Sequence, residues 1–147
     1  MNVKEAVTIL AGQCSRREYC KWDLQQKLKK WKCSDTTIQE VLSILEKQNF
    51  INEERFAEAF VKDKSRFNRW GIVKIRFALK QKKIAEVVIE DALQQIDDNE
   101  QVVILKALID SKRRTLKASS DYELQQKIFR SLMAKGFEYD AIKKAMH

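Results

Sequence analysis

Residues 72 to 93 read IVKIRFALKQKKIAEVVIEDAL, and the apolar positions of this stretch decide the fold. Ile72, Ile75 and Leu79 are spaced by three and four, which puts their side chains on one face of a 3.6-residue helix. Ile89, Ala92, Leu93 and, beyond the stretch, Ile96 make a second such stripe. Counted from Leu79, the apolar columns are Ile75 four before, Ile84 five after, Ile89 ten after, and Ala92 and Leu93 at thirteen and fourteen. The same template fits twice more. About Leu28 it finds Leu24, Cys33, Ile38, Val41 and Leu42; about Leu132 it finds Ile128, Phe137, Ile142, Ala145 and Met146. Matched columns in three places, filled only by apolar types, identify a tandem repeat.

Upstream of each helix pair lies a third amphipathic stretch: Val3, Ala6, Val7 and Leu10; then Phe56, Ala57, Phe60 and Val61; then Ile104, Leu105 and Leu108. The expected architecture is therefore all-α, three tandem three-helix repeats spanning residues 1–50, 51–98 and 99–147. No linker separates them, so the modules stack on their neighbours into an elongated array. Nothing reads as a strand. The chain has no proline, and its three glycines, Gly12, Gly71 and Gly136, fall near expected helix boundaries. Ser15 with Glu18, and Ser120 with Glu123, fit the capping box, in which each side chain satisfies an unpaired backbone N–H of the other's residue. Asn52, followed by Glu53 and Glu54, is expected to cap the first helix of the second repeat and to place acids at its positive end.

No apolar run approaches the roughly 18 residues needed to cross a bilayer, and the N-terminus lacks the apolar core of a signal peptide. A cytoplasmic protein without membrane contact is expected. Three cysteines, Cys14, Cys20 and Cys33, odd in number and bunched in the first repeat, suit a reducing compartment.

Charge is the second informative feature, because the net +8 is concentrated. Residues 62 to 83 hold nine basic residues, Lys62, Lys64, Arg66, Arg69, Lys74, Arg76, Lys80, Lys82 and Lys83, against the single acid Asp63. The rest of the chain balances at 20 basic and 20 acidic residues. On a helical wheel Lys62, Arg66 and Arg69 line up opposite Phe56 and Phe60. Arg76, Lys80 and Lys83 form a second stripe beside Ile75 and Leu79, with Phe77 turned away from the core beside Lys80. Lysine-rich helix faces are commonly just solvated surface, but the concentration of all the excess charge in one repeat favours a seat for a polyanion or an acidic protein groove. Lesser clusters, Lys27, Lys29, Lys30 and Lys32 in the first repeat and Lys112, Arg113, Arg114 and Lys117 in the third, sit among enough acids to balance the two readings. Contacts of this kind to DNA would go to phosphates and carry little sequence information.

Catalysis has little to stand on. The single histidine is His147, the last residue, so no histidine-centred triad is available in the body of the chain. The cysteine gaps of six and thirteen residues do not resemble the close pairs of structural zinc sites, and no glycine-rich phosphate loop is present. Trp22, Trp31 and Trp70 read first as packing residues. No catalytic, metal or cofactor residue is assigned, and the chain is not expected to be an enzyme.

Three runs carry a resemblance: Cys14 to Tyr19 with Leu24 and Lys27-Leu28; Phe50-Ile51-Asn52-Glu53-Glu54-Arg55-Phe56-Ala57 with Phe60-Val61; and Arg66-Phe67-Asn68-Arg69-Trp70-Gly71 leading to Lys74-Ile75. Together with Leu132, Lys135-Gly136-Phe137 and Ile142, they resemble the RecX family of bacterial recombination regulators over residues 3 to 146. The family usually carries an acid where Asn52 stands, and a glycine near Lys32 and at Lys83.

The resemblance implies a curved rod of three three-helix repeats that lies in the groove of the RecA filament on DNA and restrains ATP hydrolysis and strand exchange. It also implies a role in DNA repair and the SOS response. The family supplies no catalytic motif to transfer. The residues expected to contact the filament, whether RecA surface or DNA phosphates on single- or double-stranded DNA, come from charge and wheel position: Lys62, Arg66, Arg69, Lys74, Arg76, Lys80, Lys82 and Lys83, with Phe67, Trp70 and Phe77 as apolar anchors. A monomer is expected. The alternatives are a stand-alone DNA-binding helical module and a helical protein-protein adaptor.

Overall fold

The computed structural model describes all 147 residues. Nine helices follow one another without a strand: α1 Val3–Cys14, α2 Lys21–Lys30, α3 Asp35–Lys47, α4 Glu53–Arg66, α5 Ile72–Gln81, α6 Glu86–Leu93, α7 Asp98–Thr115, α8 Asp121–Ala134 and α9 Tyr139–Met146. The apolar stripes bury as their spacing requires. Leu24, Leu28, Ile75, Leu79, Ile128, Leu132, Ile89 and Ile142 are all fully buried.

They build three cores rather than one. The first gathers Ala6, Leu10, Leu24, Leu28, Ile38, Val41, Leu42, Leu45 and Ile51. The second centres on Phe56, Val61, Ile75, Leu79 and Ile89, and the third on Leu105, Leu108, Ile109, Ile128, Leu132 and Ile142. The accessible surface is 9502 Å², against about 7,800 Å² expected for a compact monomer of 17.3 kDa. The excess is the surface a row of small cores leaves uncovered.

One local motif closes the second helix of every unit. Lys32, Lys83 and Gly136 each stand four residues after the reference leucine, and all three take a left-handed backbone, with φ of 58°, 61° and 93°. The next residue's N–H then reaches back to that leucine's carbonyl: Cys33 to Leu28 at 3.1 Å, Ile84 to Leu79 at 3.3 Å and Phe137 to Leu132 at 3.2 Å. This is the Schellman closure, which glycine favours because it has no Cβ to clash. Only the third unit has the glycine.

Two helix starts differ from the sequence expectation. Ser15 does not begin a helix: it ends α1, and its hydroxyl donates to the Gly12 carbonyl at 2.7 Å. α2 starts six residues later at Lys21, with the Asp23 carboxylate accepting the Cys20 N–H at 3.4 Å. Glu18 is drawn away because its carboxylate is taken by Arg55 of α4, whose Nε lies 2.7 and 2.8 Å from the two oxygens. At α8 Ser120 accepts the Glu123 N–H at 3.1 Å as expected, but Glu123 returns to the N–H of Ser119, at 3.2 Å, instead of Ser120. Asn52 caps α4 through the Arg55 N–H at 2.9 Å.

The repeats join by related contacts. In both junctions the residue three after the reference leucine meets the start of the preceding repeat's second helix. Lys82 pairs with Asp23 at 2.5 Å between the first and second repeats. Between the second and third, the Lys135 carbonyl accepts the Gly71 N–H at 2.8 Å and the Gly136 carbonyl accepts the Val73 N–H at 2.9 Å. The C-terminal end of α8 thus satisfies the N-terminal donors of α5, with the helix dipoles head to tail. Cys20, at the first repeat's end of the first junction, is fully buried and packs in the second core.

Candidate functional site

The nine cations of residues 62 to 83 occupy α4, the loop that follows, α5 and its closing turn. The two stripes of the wheel do not run as far as the sequence suggests. α4 ends at Arg66, where the Phe67 and Asn68 N–H groups both reach the Asp63 carbonyl, at 2.9 and 3.4 Å. Arg69 therefore leaves the line of Lys62 and Arg66 and sits in the loop at φ 55°. Lys83 leaves the line of Arg76 and Lys80 in the same way, at the left-handed turn after α5.

Pairing divides the set further. Arg66 meets Glu100 of α7 at 3.1 Å, Lys82 meets Asp23, and Arg76 forms a two-pronged pair with Glu90 of α6, at 2.7 and 3.2 Å. That last pair holds the Glu90 carboxyl below its ordinary range and raises the Arg76 guanidinium, each through the shared hydrogen bond. Lys62, Lys64, Arg69, Lys74, Lys80 and Lys83 make no ion pair. These carry the free charge; Arg66, Arg76 and Lys82 tie helices and repeats together.

Tertiary packing brings in two cations from the third repeat. Lys135, at the end of α8, donates its ammonium to the Asn68 carbonyl at 3.3 Å, beside Arg69. Burial depresses the Lys135 pKa, and the positive charges of Lys112, Arg69 and Lys74 depress it further. Arg69, Lys74 and Lys135, from two repeats, thus meet at the second junction, where the charge of Lys112 is also felt. The linear charge run could not reveal this, because Lys112 and Lys135 lie far along the chain and look like ordinary surface residues there.

The three apolar anchors separate as well. Phe67 is 82% exposed and Phe77 61%, with Val73 47% exposed on the same helix as Phe77. Bare rings interleaved with free cations have the composition of surfaces that take partners. Trp70 is instead half-buried and packed edge-on against Phe60, with centroids 6.5 Å apart. The Lys74 and Lys64 ammonium groups stand over its ring at 4.5 and 4.9 Å.

No group of three or more His, Cys, Asp or Glu side chains converges to hold a metal ion. The three cysteines are free. Burial pushes the Cys20 thiol up to about 12 and raises Cys14 as well, so both favour the unreactive protonated form. No helix is long and apolar enough to cross a membrane.

Two family models match the chain: the RecX second three-helix domain over residues 52–93 and the RecX third three-helix domain over residues 99–146. The chain is 34% identical over 120 residues to the regulatory protein RecX of Clostridium perfringens, covering 80% of this chain and 56% of that protein. It is 32% identical over 133 residues to the regulatory protein RecX of Acinetobacter baylyi, covering 90% and 80%. The chain therefore spans little more than half the length of the Clostridium relative. The crystal structure of RecX from Lactobacillus salivarius superposes with a TM-score of 0.84 at 25% identity, covering 98% of this chain and 94% of that one.

Proposed function

Since the chain belongs to the RecX family of regulatory proteins, we propose that it is a non-enzymatic regulator of DNA repair and homologous recombination that binds in the groove of the RecA-DNA filament. It lowers RecA ATP hydrolysis and strand exchange there, acting in the cytoplasm as a monomer without a cofactor. The observation that carries this reading is the row of three equivalent helical units with unpaired cations gathered on the middle one and its junction with the third. A row of equivalent modules can follow a groove built from repeating subunits, and its free cations face the anionic partners such a groove offers.

The contact falls to Lys62, Arg69, Lys74, Lys80 and Lys83, with Phe67 and Phe77 as apolar anchors and Lys112 and Lys135 extending the charge into the third repeat. Arg66, Arg76 and Lys82, each held in an ion pair, and the half-buried Trp70 hold this surface in shape. Inhibition needs no chemistry on the protein. A rod that fits one filament state better than another shifts the population by its difference in affinity, so a tenfold preference is worth about 1.4 kcal/mol.

The test is the ATP hydrolysis rate of preformed RecA filaments from the same organism, on single-stranded DNA, as the protein is titrated in. Inhibition at concentrations well below that of RecA is the expected result. No effect on hydrolysis, with tight and salt-sensitive binding to bare DNA, would replace this reading with a stand-alone DNA-binding module.

A further inference from the structure

A groove of about 970 Å³ opens between the first and second repeats. That is the upper end of the roughly 300–1,000 Å³ typical of ligand clefts. Five aromatic residues line it: the exposed Phe67, just past the end of α4, and four less exposed rings that form its floor. Trp22 comes from α2, Phe56 and Phe60 from α4, and Trp70 from the loop before α5. Phe56 and Phe60 lie 5.7 Å apart, and Phe60 meets Trp70 edge-on.

Two lysines stand over this floor. The Lys82 ammonium lies 5.1 Å from the Trp22 centroid and 6.0 Å from that of Phe56; the Lys64 ammonium lies 5.5 Å from Phe60 and 4.9 Å from Trp70. Lys82 is neutralised by Asp23 and the rim acid Glu18 by Arg55. Lys64 has no carboxylate partner, and the other charged lining residues that make no ion pair are Asp63 on the same helix and Arg17. An ammonium held above an apolar, ring-lined floor gains from the ring quadrupoles and is ready for a carboxylate.

We infer that this groove between the first two repeats docks an acidic protein segment, with an apolar side chain seated among the rings and a carboxylate on Lys64. The alternative class, stacked nucleotides, is disfavoured by the same geometry: base stacking needs open ring faces, and Trp22, Phe56, Phe60 and Trp70 each already have an ammonium over them, which leaves Phe67 as the one bare ring of the lining. The surrounding segment, with nine basic residues and one acid between 62 and 83, steers acidic chains toward the groove. The inference does not rest on the filament reading, and its test contains no RecA.

Trp22 and Trp70 report on the groove, and the remaining tryptophan, Trp31, packs in the first core. The full chain carrying Trp31→Phe is titrated, by tryptophan emission, with a short capped peptide of aspartates and glutamates around a central phenylalanine and leucine. A saturable change is expected. It should weaken about tenfold in Lys64→Glu and in Lys64→Met, as for loss of one charge-assisted hydrogen bond, and on replacing the phenylalanine and leucine by serines. Lys47→Glu, the same charge change at an exposed site on α3, should leave it unaltered, and thermal melts check that each variant is folded. Three results would overturn the inference: no saturable change with the acidic peptide; an equal, Lys64-dependent change with oligothymidylate; or a change that follows protein concentration alone, which would make the occupant a second copy.

Discussion

Gly71 and Gly136 lie against each other so closely that neither tolerates a side chain. A Cβ on Gly71 would come within 2.4 Å of the Gly136 carbonyl carbon and oxygen and of the Phe137 nitrogen, and one on Gly136 would meet the Lys74 Cβ at 2.3 Å. Sixty-five positions apart in the chain, they let the end of α8 hand its carbonyls to the start of α5. Gly71 has an ordinary φ of −78°, so its requirement is purely one of space; Gly136 answers to both space and its left-handed backbone.

Gly71→Ala should therefore push the second and third repeats apart. The clash is with backbone, which cannot rotate away, so a loss of about 2–3 kcal/mol is expected. Chemical denaturation reads the loss, and limited proteolysis should show new cleavage between residues 94 and 99. A midpoint equal to that of the parent chain would refute the spatial account of this glycine.

Lys83→Gly should stabilise. A lysine at φ 61° sits where its Cβ crowds the neighbouring carbonyl, and the equivalent Gly136 shows what the turn prefers. The net gain, after glycine's greater freedom in the unfolded chain, is about 1 kcal/mol, or roughly 3–5 °C in Tm. Lys30→Gly, inside the last turn of α2, is the matched control and should lose about as much.

Charge reversal separates contact residues from structural ones. Lys62→Glu with Lys80→Glu, both exposed and unpaired, should weaken filament binding at least tenfold while leaving Tm within about 2 °C, the range of surface changes. Arg76→Glu should lower Tm, because it sets an acid against Glu90 and breaks the two-pronged tie between α5 and α6. If the Lys62/Lys80 variant inhibited RecA hydrolysis as well as the parent, the contact would lie elsewhere.

Acidity should act on Glu53. Burial raises its pKa above the ordinary 4.5, more than the Lys21 N–H and ammonium lower it, and one carboxylate oxygen is buried without a partner. A carboxyl raised on folding favours the folded state only when protonated. That favour is complete below the unfolded pKa and is lost as pH rises through the folded one. Glu53→Gln should thus raise Tm at pH 7, and the advantage over the parent should fade by about pH 4. A difference constant across that range would assign the effect to packing instead of charge.

The helices were legible because hydrophobic periodicity is a local signal: Ile75, Leu79, Ile89 and Leu93 bury as their spacing requires, and Asn52 caps α4 with a donor three residues away. The concentration of positive charge between 62 and 83 was legible for the same reason. Ser15 and Glu18 show where local reading stops, since the box they spell is overridden by Arg55, 37 residues on. The site divides along the same line. Which cations are spent depends on Asp23, Glu90 and Glu100, and the free cluster is completed by Lys112 and Lys135 from the next repeat.

By itself, then, the sequence determined the repeat, its nine helices, the cap that starts the middle unit and the segment that holds the charge, all set by neighbours within a few turns of helix. Only the tertiary structure decided which of those charges remain free, that Gly71 must meet Gly136, and that five rings from two repeats line one groove. Ion pairs, backbone contacts and clefts depend on distance through space, and packing sets that distance between residues whose separation along the chain carries no record of it.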